Sequence, residues 1–457
     1  MSSPTQPRFL IDLEVQDLNT VDHTSLAHSI RRGIELAPPP FRIALFGPWG
    51  SGKSTILHML QEQLQESEGD DTHDGPYLKT VWFNPWEHES NTNLMQSLVA
   101  LLTAEIPDGL RYSRKGSRVI HRVTRAGDWI GQRWEERSIV VSDARALPRS
   151  SELLNPEQDD DIAQVSAMRE AFRRFVDFTL VHGPKHQTKR LVVFIDDLDK
   201  CRPINVLNLL EGLKLAFARQ TNIVLVFALD REVLCNAVEL KYGRRTNFDA
   251  DKYIEKIFEF NYDVPSIAIR HVKPLIRELY DRARLSELAG TAQQANLDME
   301  AIGEVLGQPG IDLNPRKIKR IFNKFIWFFA SRGALEENAE ERPEPDPDPE
   351  MEATVYWLTW LLTGECWREF RKMTNRHGEA ALAELCNRVT GNPIYPHSNQ
   401  QVRQEFDALP GSESLLEYYR GIFNVSRGAH LPQIQELMKT RVTELARIDR
   451  ILRLHGI

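Results

Sequence analysis

Short unbroken apolar runs stand out from a chain whose other hydrophobic residues recur mostly on a helical period. Phe41-Arg42-Ile43-Ala44-Leu45-Phe46, Leu78-Lys79-Thr80-Val81-Trp82-Phe83-Asn84, Leu191-Val192-Val193-Phe194-Ile195 and Asn222-Ile223-Val224-Leu225-Val226-Phe227-Ala228-Leu229 are strand-length. The last two are apolar enough to be covered on both faces, as central strands of a parallel sheet are. Helices are predicted between them, over about 22–35, 55–64, 91–102, 162–182, 204–218 and 232–240. In the first of these, Leu26, Ile30 and Ile34 share one face. It either lies beside a bound ligand or covers a sheet edge. Strands alternating with helices predict an α/β fold, a mostly parallel sheet flanked by helices.

Tyr253–Phe258 has apolar residues at alternate positions and leads to Pro265. From Ser266 the period becomes helical, with Ile276, Leu279 and Tyr280, continued by Leu285 and Leu288. Asn314 and Pro315 read as the cap and first residue of a further helix. Residues 336–350 hold Pro-Glu-Pro-Asp-Pro-Asp-Pro-Glu, an acidic spacer unable to form a core. The predicted organisation is therefore an N-terminal helical extension at 1–40 and a sheet domain at 41–265. A helical subdomain at 266–335, the linker at 336–350 and helical domains at 351–457 follow. The end of the chain carries Leu437, Val442, Leu445, Ile448, Ile451 and Leu452 in an amphipathic pattern.

Composition adds limits. With 457 residues, 41% of them hydrophobic and 27% charged, the chain has enough apolar material for a sizeable core. A net charge of −8 gives no overall attraction to nucleic acid and leaves only local basic patches to consider. The four cysteines are widely spaced and follow no metal-binding pattern, which fits a reducing, cytoplasmic setting. No run reaches the length of a membrane span.

The densest chemistry follows the first strand. Gly47-Pro48-Trp49-Gly50-Ser51-Gly52-Lys53-Ser54, followed by Thr55, is a complete G-x-x-x-x-G-K-S phosphate loop in a strand–loop–helix setting. Its glycines let backbone N–H groups face one anion, and the following helix start adds positive potential. Lys53 is expected to reach the β- and γ-phosphates, and the Ser54 hydroxyl to hold Mg²⁺. The strand at 191–195 ends in Asp196-Asp197-Leu198-Asp199. Asp196 is expected to serve Mg²⁺ and Asp197 to polarise an attacking water. Asp199 is expected further out, holding a basic side chain or touching a neighbour. Asn84, Trp86, Glu87 and His88 lie at another strand end, where α/β sheets collect ligands. Glu87 either orients water or belongs to a packed aromatic turn. At the 222–229 strand end, Asp230 is a candidate phosphate sensor and Arg231 a transmitter. Lys200 and Arg202 are candidate cations for the same or a neighbouring site, as is Arg316 from the helical subdomain. Glu211 either pairs with a mobile arginine or is exposed.

Residues 105–165 read as a polar insertion, its second half from Ser150 to Asp161 loop-like. Arg111, Arg114, Lys115, Arg118, Arg122, Arg125, Arg133 and Arg137 interleave with Trp129 and Trp134. Such a segment over 111–137 either binds nucleic acid or forms a solvated helix face that packs its tryptophans inward.

These residues together resemble the KAP family of P-loop NTPases. The resemblance rests on Phe46–Ser54, Phe83-Asn84-Pro85-Trp86-Glu87 and Phe194–Cys201, with Asp230-Arg231-Glu232, the Tyr253–Phe258 segment and Asn314-Pro315-Arg316 in support. It implies an additional-strand ATPase, in which one strand separates the phosphate-loop strand from the magnesium-aspartate strand. It further implies ATP rather than GTP, Mg²⁺ at Ser54 and Asp196, water activation by Asp197 and a nucleotide-facing Arg316. Many members carry transmembrane helices where this chain has its 105–165 insertion, and arginine where it has Lys200. This chain resembles a soluble, bacterial-type member. The resemblance suggests Mg-dependent ATP hydrolysis coupled to conformational change or to assembly, as a homo-oligomer or with a protein partner, in a setting such as phage defence. A nucleotide-regulated binding or scaffold protein and a small-molecule kinase are the alternatives.

Overall fold

In a computed structural model, the structure describes residues 23–65, 76–90, 93–142, 157–181, 188–217, 221–242, 249–265, 269–282, 305–308, 311, 314–336, 351–391, 399–422, 445–446 and 449. The chain divides into two compact units. One spans 22–265, and the other comprises 1–21 and 266–457.

The first unit opens with α1 (His23–Leu36), β1 (Phe41–Phe46), α2 (Lys53–Gln65) and β2 (Tyr77–Phe83). A helical turn, Pro85–His88, follows β2 and leads to α3 (Leu94–Ala104), α4 (Asp108–Arg111), α5 (Arg114–Ser142) and α6 (Glu157–Thr179). Then come β3 (Lys189–Ile195), α7 (Pro203–Ala216), β4 (Ile223–Leu229), α8 (Arg231–Tyr242), α9 (Ala250–Ile257) and β5 (Phe260–Asp263). The strands form one sheet in the order β2-β3-β4-β1-β5, every pair parallel. One strand, β4, therefore separates β1 from β3, as the resemblance implies.

Alternate residues feed two apolar layers. Ile43 and Leu45 of β1, Val192 and Phe194 of β3, and Val224 and Val226 of β4 pack with α1 and α2. Ala44, Phe46, Val193, Ile195, Leu225 and Phe227 point the other way, into a layer holding α3, α5, α6, α7, α8 and α9. Every residue of β4 is buried, as its unbroken apolar run requires.

Several sequence readings change. Helix α6 already begins at Glu157, so the loop expected through Asp161 is shorter, and 143–156 lie outside the described residues. Most of Tyr253–Phe258 is helical. Ala250, Ile254 and Ile257 recur at helical spacing and are buried, and the last strand, Phe260–Asp263, comes after it. Glu211 is neither exposed nor paired with an arginine. It accepts hydrogen bonds from Lys241 Nζ at 3.0 Å, Tyr242 Oη at 2.6 Å and Tyr253 Oη at 2.5 Å. One carboxylate thus joins α7, α8 and α9. Burial first, then the adjacent carboxylate, keeps the Tyr253 hydroxyl protonated far above its ordinary range.

The second unit is helical: α10 (Ile269–Arg282), α11 (Pro315–Glu336), α12 (Met351–Cys366), α13 (Arg368–His377), α14 (Glu379–Thr390), α15 (Gln400–Asp407) and α16 (Ser412–Ile422). Leu279 of α10, Phe322 of α11, Trp360 of α12, Phe370 of α13, Leu385 of α14, Phe406 of α15 and Tyr419 of α16 belong to one apolar core. That core draws on residues from both sides of the proline-rich spacer, of which 337–350 lie outside the described residues. Buried Asp449 accepts from the Trp360 indole N–H at 3.0 Å and pairs with Arg371. The rest of the amphipathic stretch read at 431–454, apart from 445–446 and 449, lies outside the described residues. No helix among the described residues is long and apolar enough to cross a membrane.

Glu211→Ala removes the acceptor shared by three donors on α8 and α9. It should lower the stability of the sheet-bearing unit by about 2–3 kcal/mol, read as a lowered urea midpoint. Glu211→Gln, which keeps an acceptor oxygen, should lose less than half as much.

Candidate functional site

Strand β1 ends at Phe46, and the chain crosses the sheet edge before α2 starts at Lys53. The Gly47 N–H donates to Leu229 O of β4 at 3.2 Å, fixing the loop's first residue to the neighbouring strand. A Cβ on Gly47 would lie 2.6 Å from Ser51 Oγ and 3.3 Å from Val264 Cβ, so a side chain there would displace the Ser51 hydroxyl. Gly52 has φ +95°, and a Cβ would meet the His23 ring of α1 at 2.5 Å. The first N–H groups of α2 have no acceptor inside the helix, and the helix dipole adds positive potential there.

Lys53 is buried, and its Nζ donates to Gly47 O at 2.7 Å and Pro48 O at 3.3 Å. Both acceptors belong to the loop, so the ammonium is held over the loop's own backbone. Ser51 Oγ is buried with no hydrogen-bond partner among the described residues. Ser54 and Thr55 are half-buried in the first turn of α2, Gly50 is half-buried, and Pro48 and Trp49 are exposed. A cation, an unsatisfied hydroxyl and a helix start on one glycine-bound loop fit a polyphosphate.

The acidic strand end is built by a backbone reversal. Asp196 is buried at the end of β3, its N–H donating to Phe83 O at 3.1 Å. Its Oδ1 accepts from the Asp197 N–H at 2.9 Å. Asp197 is left-handed, φ 59° and ψ 16°, a conformation that costs an L-residue roughly 1–2 kcal/mol and that Asp tolerates better than most. After that reversal Leu198–Lys200 form one helical turn, and Asp199 points inward rather than outward as expected. Asp199 Oδ2 accepts from the Trp49 indole N–H at 3.1 Å and from the Asp230 N–H at 2.9 Å. Burial pushes its carboxyl pKa up, opposed chiefly by the Lys53 ammonium. Sequence reading missed this tie between the phosphate loop and the β4 end. Its available signal was a tryptophan inside the loop together with a third acid after β3.

Asp197 is tethered from two sides. Its Oδ1 pairs with Lys200 Nζ at 2.7 Å, and its Oδ2 accepts from Asn84 Nδ2 at 3.3 Å. The same amide donates to Glu87 Oε1 at 3.2 Å, while Asn84 Oδ1 caps the turn by accepting from the Trp86 N–H. The β2 end thus brings Glu87 and Asp197 to one amide, with Glu87 itself exposed. The Lys200 ammonium lies 5.2 Å from the Trp86 ring centroid. His88 stacks on Phe83, with centroids 5.7 Å apart.

The remaining candidates separate by partner. The Asp230 carboxylate accepts from the Glu232 N–H at 3.0 Å and so caps α8. Arg231 pairs with Asp251 at 3.0 Å and Asp263 at 3.8 Å, and packs over Phe46. The Arg202 backbone N–H donates to Glu89, and its side chain is exposed without an ion pair among the described residues. Arg316 lies in the first turn of α11, behind the Asn314 cap that accepts from the Lys317 N–H at 2.9 Å. It therefore belongs to the helical unit, the loop to the other. Among the described residues, no group of three or more His, Cys, Asp or Glu side chains has the arrangement of a metal cluster.

A family model described as the KAP family P-loop domain matches residues 23–330. No curated protein matches the chain. Among solved structures, the chain is similar to the ORC2 protein of Aeropyrum pernix in ADPNP–ADP complexes, at 11% identity and a TM-score of 0.33, over 98% of this chain and 96% of that one. It is also similar to a Walker-type ATPase of Pyrococcus abyssi, at 8% identity and a TM-score of 0.30, over 96% of this chain and 99% of that one.

Lys53→Ala removes the buried cation of the loop. It should weaken binding of a nucleoside triphosphate about 10–100-fold by calorimetry, the loss of one charged hydrogen-bonding group. Asp199→Ala releases both Trp49 and Asp230 and should weaken binding as well. Asp199→Asn, which keeps an oxygen acceptor, should restore much of that affinity.

Proposed function

The chain belongs to the KAP family of P-loop domains, and on that premise we propose that it is a Mg²⁺-dependent ATPase whose nucleotide state controls conformation or assembly. The observation that carries this reading is a phosphate loop holding Lys53 after β1, tied through the Trp49–Asp199 hydrogen bond to the Asp196-Asp197 end of β3, two places away in the same parallel sheet. Ser54 and Asp196 are the residues that would hold Mg²⁺. One carboxylate and one hydroxyl suffice for an ion that keeps several waters and shares phosphate oxygens. When bound, it supplies charge neutralisation at the β- and γ-phosphates. Preference for ATP over GTP rests on the family alone, as does a role in phage defence.

Within the chain's own residues, Lys53 would leave the loop carbonyls for phosphate oxygens. Asp197 is the group suited to take a proton from an attacking water. Lys200 and Asn84 each hold one of its oxygens and fix its orientation, and each oxygen keeps a further lone pair for a water. Glu87, on the same Asn84 amide, is an alternative acceptor for that amide once Asp197 is released.

The charge that spreads over the γ-phosphoryl oxygens needs cations beyond Lys53. Lys200 pairs with Asp197 and Arg231 with Asp251 and Asp263, and the candidates of the sequence reading outside those pairs are Arg202 and Arg316. Arg316 would tie hydrolysis to the helical unit, and Arg202 to a neighbouring copy or a protein partner. The tethering of Asp197 also favours a second reading, a nucleotide-regulated binding module with little turnover until a partner releases it. A small-molecule kinase has no specific support in the described residues.

Phosphate release from ATP by the purified protein tests the reading. Asp197→Asn should keep nucleotide affinity within a few-fold and slow release about 10²–10⁴-fold, the usual worth of a general base. Unchanged release would remove Asp197 from the chemistry. Binding with no release under any condition would favour the second reading. A required arginine is worth roughly 10³–10⁵ in rate. Loss of activity in Arg316→Ala assigns it to the helical unit. Activity that rises with protein concentration and is lost in Arg202→Ala assigns it to a neighbour.

A further inference from the structure

Helices α5 and α6 pack against each other in the sheet-bearing unit, and one side of their junction is a groove of about 650 Å³. Its floor is apolar, with Val119 on α5 and Ala171 and Phe178 on α6. Its α5 wall is formed by Arg114, Lys115, Arg118 and Arg122. All four are exposed, and none makes an ion pair among the described residues. The charges on α6 are already matched: Arg174 pairs with Glu170 at 2.5 Å, and Asp177 with Arg173 at 3.0 Å. Glu170 is held on its own helix by Arg173 at 2.8 Å and Arg174 at 2.5 Å. The groove therefore carries uncompensated positive charge on one wall only, on a chain whose net charge is −8.

The spacing of that charge is regular. Arg114, Arg118 and Arg122 follow at i, i+4 and i+8, so their Cα atoms rise about 6 Å per step along the helix. That is roughly the interval between successive phosphates of an extended strand. Three of the four cations are arginines, whose planar fork matches phosphate oxygens. Tyr112, at the end of α4 and two residues before α5, lies outside the groove's lining; it is 76% exposed, with the Arg111 guanidinium 5.8 Å from its ring centroid. An exposed ring beside a row of cations is the combination that holds a base and its backbone together. The inward face of α5 is separately accounted for, since Val123, Ala126 and Ile130 are buried in the core. The arginine face is thus not the one that packs in the core, and the side chains of Arg133, Trp134 and Arg137, named with it from sequence, lie outside the described residues.

We propose that the α5–α6 groove binds single-stranded nucleic acid, with Arg114, Arg118 and Arg122 on successive phosphates, Lys115 adding a fourth contact beside Arg114, and Tyr112 stacked on a base at the end of the row. The helical interval of the arginines and the exposed ring favour an extended single strand over a duplex or an acidic peptide.

The test uses the full-length protein and a fluorescently labelled 20-nucleotide single strand, followed by anisotropy across a salt series. Log affinity should fall with log salt at a slope of about −2.8, for four released counterions at −0.7 each. Arg118→Glu with Arg122→Glu should lower affinity at least about tenfold at 0.1 M salt and reduce the slope by about 1.4. Arg118→Gln with Arg122→Gln should give the same reduction in slope, which separates lost contacts from new repulsion. Tyr112→Ala should lower affinity about tenfold with the slope unchanged, as loss of stacking does. ATP binding, measured alongside, should be unaltered in every variant, which certifies the fold and keeps this result independent of the catalytic reading. No binding by the wild type, or binding insensitive to the α5 substitutions, overturns the proposal. So does tighter binding, through the same residues, of a duplex, of polyglutamate or of vesicles containing anionic lipid.

Discussion

Parallel pairing of β1 with β4, and of β4 with β3, is the constraint on which the site depends. Ala44 lies opposite Phe227, and Phe227 opposite Ile195, so three strands reach the same edge almost level. The chain leaves each strand there in a different way. After β1 it becomes a glycine loop, after β4 a capped helix, and after β3 a left-handed reversal. Because the sheet is buried on both faces, the strands cannot slip by one residue without turning each apolar layer inside out. The position of every charged group at the edge is inherited from that packing.

What then holds the edge together is mostly internal hydrogen bonding among charged groups. Asp199 is the node, buried and accepting from the loop on one side and from the β4 end on the other. Asn84 plays a matching part at the β2 end, joining Glu87 to Asp197. A buried carboxylate is costly unless it is satisfied, and the Trp49 and Asp230 N–H groups meet that cost while Lys53 supplies the nearby charge. Of the cations around the edge, Lys200 and Arg231 serve the protein's own acids, whereas Arg202 extends into solvent.

The phosphate loop and the strand carrying Asp196 were legible because glycine spacing and uninterrupted apolar runs are local signals. Strand β5 was not, since Phe260-Asn261-Tyr262-Asp263 is short and only partly covered, and the alternation that read as extended lies just before it, in Tyr253–Phe258. The inward turn of Asp199 was hidden for a different reason. One left-handed residue, Asp197, redirects everything after it, and nothing in the neighbouring letters marks it. The basic insertion gave its composition but not its form. Whether Arg118 faces solvent and Val123 the core depends on α3 and α6 packing around α5, contacts between segments far apart in the chain. The same applies to the helical unit, whose core draws on α10 and α11 as well as on the helices after the spacer.

Trp49 has one further consequence. Its indole is bonded through nitrogen to the buried Asp199 carboxylate while 52% of the residue remains exposed to solvent. It is therefore a chromophore with one edge in water and the other fixed to a buried carboxyl group inside the phosphate-loop network. Any rearrangement of that loop alters both the local field on the ring and its contact with solvent. The molecule carries its own optical reporter at the place where an arriving anion would first be felt.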